Sequence, residues 1–139
     1  MKILAIETSC DETAAAVVER ITTTPNTQSN VRVHANVVAS QANLHARTAG
    51  VVPEVAARAH VEAITAVVEE AITQGTGSRE QGTGATDAIA ATTEPGLRPA
   101  LVVGEAAGRA LAASWKKPFI PVNHLAGHIA AVWLVSNIQ

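Results

Sequence analysis

Three short apolar runs in the first forty residues, each bounded by polar turn residues, constrain this chain more than any other feature. Lys2-Ile3-Leu4-Ala5-Ile6 and Ala14-Ala15-Ala16-Val17-Val18 have the length and flanks of buried strands. The polar segment Glu7–Thr13 between them makes them a hairpin, and the alternating Val31–Ser40 adds a third strand beside the second. From there helix and strand alternate. Pro53 opens a long helix, because proline suits a first helical turn and Val55, Ala56, Ala59, Ala63, Val67 and Ala71 recur at helical spacing. A strand follows at Asp87–Thr93, a helix at Val102–Leu111, a strand at Pro118–Val122 and a last helix from His124. The order βββαβαβα, hairpins first and alternation after, predicts an α/β fold with a mixed five-stranded sheet flanked by helices.

Composition removes several function classes. The 139 residues fit one domain, and 47% hydrophobic content is that of a globular chain. No apolar run reaches the roughly 18 residues of a membrane span, and Glu7, Asp11 and Glu12 interrupt the first apolar run before it resembles a signal peptide. The expected location is the cytoplasm. A lone Cys10 excludes an internal disulfide and fits a reducing compartment. With a net charge of −2, 2% aromatics and no Tyr, the chain has neither the basic stripe nor the stacking rings of an unaided RNA binder. Residues Ile21–Asn30 read as a polar loop, and the Gly/Ser/Thr-rich segment 75–84 as a flexible linker inside the domain.

Chemistry concentrates at two places. His124 and His128 stand at i and i+4 where a helix begins, with Asn123 as its N-cap, so both imidazoles share a face that suits a metal ion. A catalytic zinc or iron centre needs about three protein ligands, and two histidines on a half-exposed helical turn satisfy the same pattern without function. Leu125 occupies the place of the general-base Glu in a His-Glu-x-x-His protease helix, which argues against peptidase chemistry. At the hairpin tip, hydroxyls and N–H groups can hold phosphate oxygens, while Asp11 or Glu12 can hold a metal ion or orient a reacting group. An ordinary solvated turn explains the same residues. Cys10 has no base paired with it in sequence and is expected to be a small buried residue. Histidines 34, 45 and 60 read as a polar strand face, a loop and a helix surface. The Pro95-Gly96-Leu97 turn can present a helix N-terminus to an anion, and Gly104 and Gly108 allow close helix packing.

Together the segments Ile6-Glu7-Thr8-Ser9-Cys10-Asp11-Glu12-Thr13, Ser40-Gln41 with Leu44-His45, Gly50-Val51-Val52-Pro53-Glu54, Arg58-Ala59-His60, Pro95-Gly96-Leu97 and Val122-Asn123-His124-x-x-Gly127-His128 resemble successive signatures of one family. This family is the bacterial threonylcarbamoyladenosine-forming tRNA transferases, once described as O-sialoglycoprotein endopeptidases. The resemblance implies an actin-like, hexokinase-like (RNase H-like) ATPase fold of two lobes, residues 1–139 being the N-terminal one. It implies transfer of a threonylcarbamoyl group from threonylcarbamoyl-adenylate to N6 of the adenine beside the tRNA anticodon. It implies one iron or zinc ion per subunit, held here by His124 and His128 and by an Asp of the second lobe. Asp11 and Glu12 become candidates for orienting reacting groups, and Thr8, Ser9 and Gly96 for holding ATP or the adenylate. The partners implied are tRNA, bound through a complex, a shorter paralogue of the same fold, a small ATPase and the synthase that makes the adenylate.

Family members are much longer, so the isolated lobe is expected to be inactive. Glu94 stands where the family's turn has Gly, Ala126 where many members have Glu, and Arg47-Thr48-Ala49 where Asp-Tyr-Gly is usual. Position 126 points away from the face shared by the two histidines. The alternative reading is a non-catalytic partner module that keeps a dimer surface on Pro53–Thr73 and Val102–Trp115. A metallopeptidase ranks third.

Overall fold

The computed structural model describes residues 1–21, 30–78 and 82–135. Five strands, β1 (Lys2–Glu7), β2 (Glu12–Ile21), β3 (Asn30–Ser40), β4 (Ala88–Glu94) and β5 (Phe119–Asn123), form one sheet in the order β3-β2-β1-β4-β5. The first three pair antiparallel, and β1–β4 and β4–β5 pair parallel. The mixed sheet is thus the one expected from the element order. Leu4 sits at its centre, opposite Val17 on one side and Ile89 on the other.

The helices are α1 (Ala42–His45), α2 (Pro53–Thr76), α3 (Gly82–Ala85), α4 (Arg98–Trp115) and α5 (His124–Val135), with a 3-10 turn at Ala46–Thr48. Alternation in the strands sorts side chains to two faces. Leu4, Ile6, Val17 and Ile89 pack against Val67, Val68, Ala71 and Ile72 of α2 and Ala112 of α4, and this is the core. The other face carries small side chains, Ala5, Ala14, Ala16 and Ala90, which line a shallow groove. Close packing of the helices depends on glycine. A Cβ at Gly75 would lie 2.5 Å from Val17 Cβ, and one at Gly104 would collide with the Thr8 hydroxyl.

Several expectations change in detail. β2 extends beyond Ala14–Val18 on both flanks, because neighbours on either side supply partners for its ladder. The segment 41–50 is not an irregular loop but α1 and the 3-10 turn. α2 continues through Gly75 to Thr76 and stops at Gly77, whose φ of 85° is left-handed. The expected linker 75–84 therefore begins inside α2 and ends in α3, while 79–81 lie outside the described residues, as does the polar loop between Ile21 and Asn30. α4 starts at Arg98 rather than Val102, with proline in its first turn. Asn123 does cap α5, its Oδ1 accepting the Ala126 N–H at 3.1 Å.

Candidate active site

The parallel strands β1, β4 and β5 end on the same side of the sheet, at Glu7, Glu94 and Asn123. Ligands in open α/β sheets bind outside such carboxyl ends. A cleft of about 370 Å³ lies there, lined by Glu7, Ser9, Asp11 and Glu12 from the hairpin and by His124 and His128 from α5. Five of the residues singled out in the sequence thus meet in one place.

His124 and His128 turn their Nε2 atoms toward each other, 3.0 Å apart, with the rings perpendicular. The opposite edge of His124 faces the hairpin, Nδ1 lying 3.0 Å from Ser9 Oγ and 3.4 Å from Glu7 Oε2. A proton on Nδ1 donated to these oxygens leaves Nε2 bare, the form in which an imidazole accepts a hydrogen bond or ligates a metal. The Glu7 carboxylate is itself held: Oε2 accepts the Thr92 hydroxyl at 2.5 Å, and Oε1 accepts the Ser9 N–H. Burial pushes the Glu7 carboxyl up, but hydrogen bonds from Thr92, Ser9 and His124 outweigh it and hold it below its ordinary value. It is therefore ionised where it faces His124.

Metal–nitrogen bonds of about 2.0–2.1 Å at tetrahedral angles place two ligand nitrogens roughly 3.3 Å apart. The imidazole pair fits that requirement, and the carboxylate behind His124 is the usual outer support of a ligating histidine. Among the described residues no group of three His, Cys, Asp or Glu side chains converges on one point. The donors present amount to half a centre.

Other candidates are placed differently. Thr8 points to the core face, where its buried hydroxyl donates to the Ala100 carbonyl at 2.9 Å and accepts the Gly104 N–H at 3.0 Å. It holds α4 to β1 and does not line the cleft where the other candidates for nucleotide contact were expected to act. Gly96 lets its turn lie against the hairpin: a Cβ there would be 2.8 Å from the Ser9 carbonyl, which also accepts the Leu97 N–H at 2.9 Å. Cys10 is exposed rather than buried. Partial desolvation, then a hydrogen bond and charge from Asp11 and the charge of Glu12, push its thiol up, which disfavours a nucleophilic thiolate.

Three residues passed over in the sequence belong to the surroundings of the site. Glu7 was part of a polar turn with no partner visible, although its odd position in β1, between inward Ile6 and Thr8, puts it on the cleft face. His60, expected on a surface, is fully buried, and His45, expected in a loop, is also buried. His34 does lie on a polar strand face, 2.8 Å from Glu19.

A family model described as tRNA N6-adenosine threonylcarbamoyltransferase (TsaD) matches residues 32–139. A relative of that description from Syntrophobacter fumaroxidans is 53% identical over 136 residues, covering 96% of this chain and 36% of its own length. One from Rhizobium leguminosarum is 48% identical over 138 residues, covering 99% and 35%. The chain therefore spans little more than a third of the length of these curated relatives. Among solved structures, YeaZ from Pseudomonas aeruginosa superimposes with a TM-score of 0.53 at 18% identity over 88% of this chain and 43% of that one. Thermus thermophilus RuvC gives 0.55 at 15% identity, over 88% and 64%. These likenesses show the fold alone, the RNase H-like, actin-like sheet. The match over residues 32–139, joined to identities near one half across almost the whole chain, places it in the tRNA N6-adenosine threonylcarbamoyltransferase family.

Proposed function

We propose that this chain forms the N-terminal lobe of an enzyme that moves a threonylcarbamoyl group from threonylcarbamoyl-adenylate to N6 of the adenine beside the tRNA anticodon. One observation carries the reading: two imidazole Nε2 atoms 3.0 Å apart face the cleft at the strand ends, and a carboxylate backs one of them. His124 and His128 would hold an iron or zinc ion, with an Asp of a second lobe as third ligand. When bound there, such an ion supplies Lewis-acid polarisation of the carbonyl under attack.

The chain's own residues do the rest. Glu7 and Ser9 hold the His124 ring so that Nε2 faces the cleft. Asp11 and Glu12 stand at the mouth of the same cleft, where a carboxylate orients the adenine amine through its N–H groups and takes the proton that the amine loses. The new N–C bond forms as the bond from the carbonyl carbon to the adenylate oxygen breaks, and AMP leaves. ATP or the adenylate would lie along the hairpin, contacting Ser9 and the tip amides. The small net charge gives no grip on RNA, so tRNA is bound through the complex with the shorter paralogue, the small ATPase and the synthase. No helix among the described residues is long and apolar enough to cross a membrane, and the proposed location is the cytoplasm.

The test is transfer of labelled threonine into tRNA by the full protein carrying this chain, with those partners present. His124→Ala and His128→Ala should each abolish transfer while leaving the far-ultraviolet circular dichroism spectrum unchanged. Wild-type rates in both variants would rule the reading out.

A second reading has its own support. Between α2 and α4 lies an apolar groove of about 480 Å³ lined by Ile64, Val68, Ile72, Leu111 and Trp115, and the same two helices carry Val61 and Val102, 61% and 51% exposed. Such an exposed apolar surface suits a protein partner, as a non-catalytic dimerisation module requires. Stable binding to the paralogue with no transfer under any combination of partners would favour it.

A further inference from the structure

The motifs Ser40-Gln41, Leu44-His45 and Arg58-Ala59-His60 have no place in the cleft, yet the fold brings Gln41, His45 and His60 together under the hairpin tip. We infer that they form a buried hydrogen-bond relay that fixes the Cys10–Asp11–Glu12 tip. His60 and Gln41 are then positioning residues for the site. This rests on the reading of that tip as part of the transfer site.

All three side chains are buried, His60 completely. His60 Nε2 lies 3.2 Å from the Cys10 carbonyl. A carbonyl only accepts, so the ring proton is on Nε2 and Nδ1 is bare. Nδ1 then accepts the Thr13 hydroxyl at 2.8 Å and the Gln41 side-chain amide at 3.2 Å. That orientation of Gln41 leaves its Oε1 to accept His45 Nε2–H at 3.0 Å. The bonds from His45 to Gln41, from Gln41 to His60 and from His60 to the Cys10 carbonyl thus run one way, toward the tip, and the Thr13 hydroxyl joins them at His60. The Gln41 backbone adds another, its N–H reaching the Asp11 carbonyl at 2.9 Å. Two successive carbonyls of the tip are therefore held from outside the hairpin, by α2 and by the β3–α1 corner.

Packing alone does not call for this arrangement. Apolar side chains at positions 13, 41 and 60 together would fill the space between α2 and β2 without polar groups to satisfy, and buried polar groups are costly unless paired. What an apolar residue would not do is fix the tip. Cys10 and Glu12 are exposed and Asp11 is only half-buried, so the carboxylates receive little support from packing of their own. A displacement of about 1 Å at a reacting group can cost roughly 100-fold in rate.

The test uses the full protein with its partners and compares His60→Leu, His60→Gln, Gln41→Leu and the core control Val67→Ala. Peptide-level hydrogen exchange over Ser9–Thr13 and the kcat and KM of transfer are measured, and melting temperature ranks the loss of stability. In His60→Leu, exchange over Ser9–Thr13 should rise at least about 10-fold, kcat should fall about 100-fold, and the KM for tRNA should stay put. His60→Gln, whose amide can donate to the Cys10 carbonyl, should recover much of both. Val67→Ala, which truncates a buried core side chain away from the tip, should lower the melting temperature and change neither. If His60→Leu does not fold, Gln41→Leu, which interrupts the relay but leaves His60, must move exchange and kcat in the same direction. Unchanged exchange over the tip, or losses no larger than those of Val67→Ala, would overturn the relay. A wild-type protein that transfers nothing would refute the proposed function, and the exchange data would still decide whether the relay holds the tip.

Discussion

The Glu7 carboxylate touches three separate elements: the Thr92 hydroxyl of β4, the Ser9 amide of the hairpin and the His124 ring of α5. Replacing it by Gln removes the charge that favours the Nδ1–H form of His124. Glu7→Gln in the full protein should weaken zinc or iron binding by about 10–100-fold, measured by competition against a colorimetric chelator. Nothing in the sequence joins position 7 to position 124, and only strand parity hinted at the face it takes. His60 teaches the opposite lesson. It lies off the apolar stripe of α2 and so read as surface, but the β3–α1 corner and the β1–β2 hairpin cover it and supply its polar partners, Gln41 from the one and Cys10 and Thr13 from the other. Burial drives the His60 pKa below 6.5, outweighing the Cys10 carbonyl and the nearby Glu7 and Asp11 carboxylates that raise it. The native state thus resists a proton that the unfolded chain takes up below about pH 6.5. The stability that neutral His60 contributes is fully present above that pH and is lost as pH falls toward the lower native value. The urea midpoint should drop between pH 7.5 and 5.5, and drop less in His60→Gln.

At the scale of elements, the five strands and the helices α2, α4 and α5 were legible because each apolar run had the period of the structure it forms, whereas the four-residue α1 and α3 are too short to show one. Their ends were not, because pairing and packing move them. β2 lengthened where β1 and β3 gave it partners, and α4 gained a turn before Val102 through Arg98 and Pro99. The helix-to-sheet distance was legible only as glycines. Gly104 marks where α4 meets β1, the Thr8 hydroxyl filling the space a methyl would take. Gly104→Ala should destabilise the fold by about 1–3 kcal/mol through overpacking, read from urea unfolding, whereas Ala106→Gly on the same helix should cost no more than about 1 kcal/mol.

For the whole molecule, the sheet has one face filled by α2 and α4 and one lined by alanines. The cleft opens at its edge, where the Nε2 atoms of His124 and His128 face each other. Motif order made the family legible from the sequence. The convergence of Ser9, Asp11 and Glu12 with His124 and His128 was implied by that likeness, and only the folded sheet shows it. These 139 residues, expressed alone and loaded with zinc, should lose the ion on dialysis, because two imidazoles leave it largely hydrated. A full-length relative should retain about one ion per chain. Retention of a stoichiometric ion by the short chain would mean that a third donor lies within it.

The hydrogen bond from His124 to Ser9 spans 115 positions of sequence, and that from Thr92 to Glu7 spans 85. Translation delivers β1 first, yet β1 lies mid-sheet and waits for β4 to flank it. His124 and His128 leave the ribosome after all five described strands. The proposed metal pair can therefore come together only after all the residues of this sheet have been synthesised.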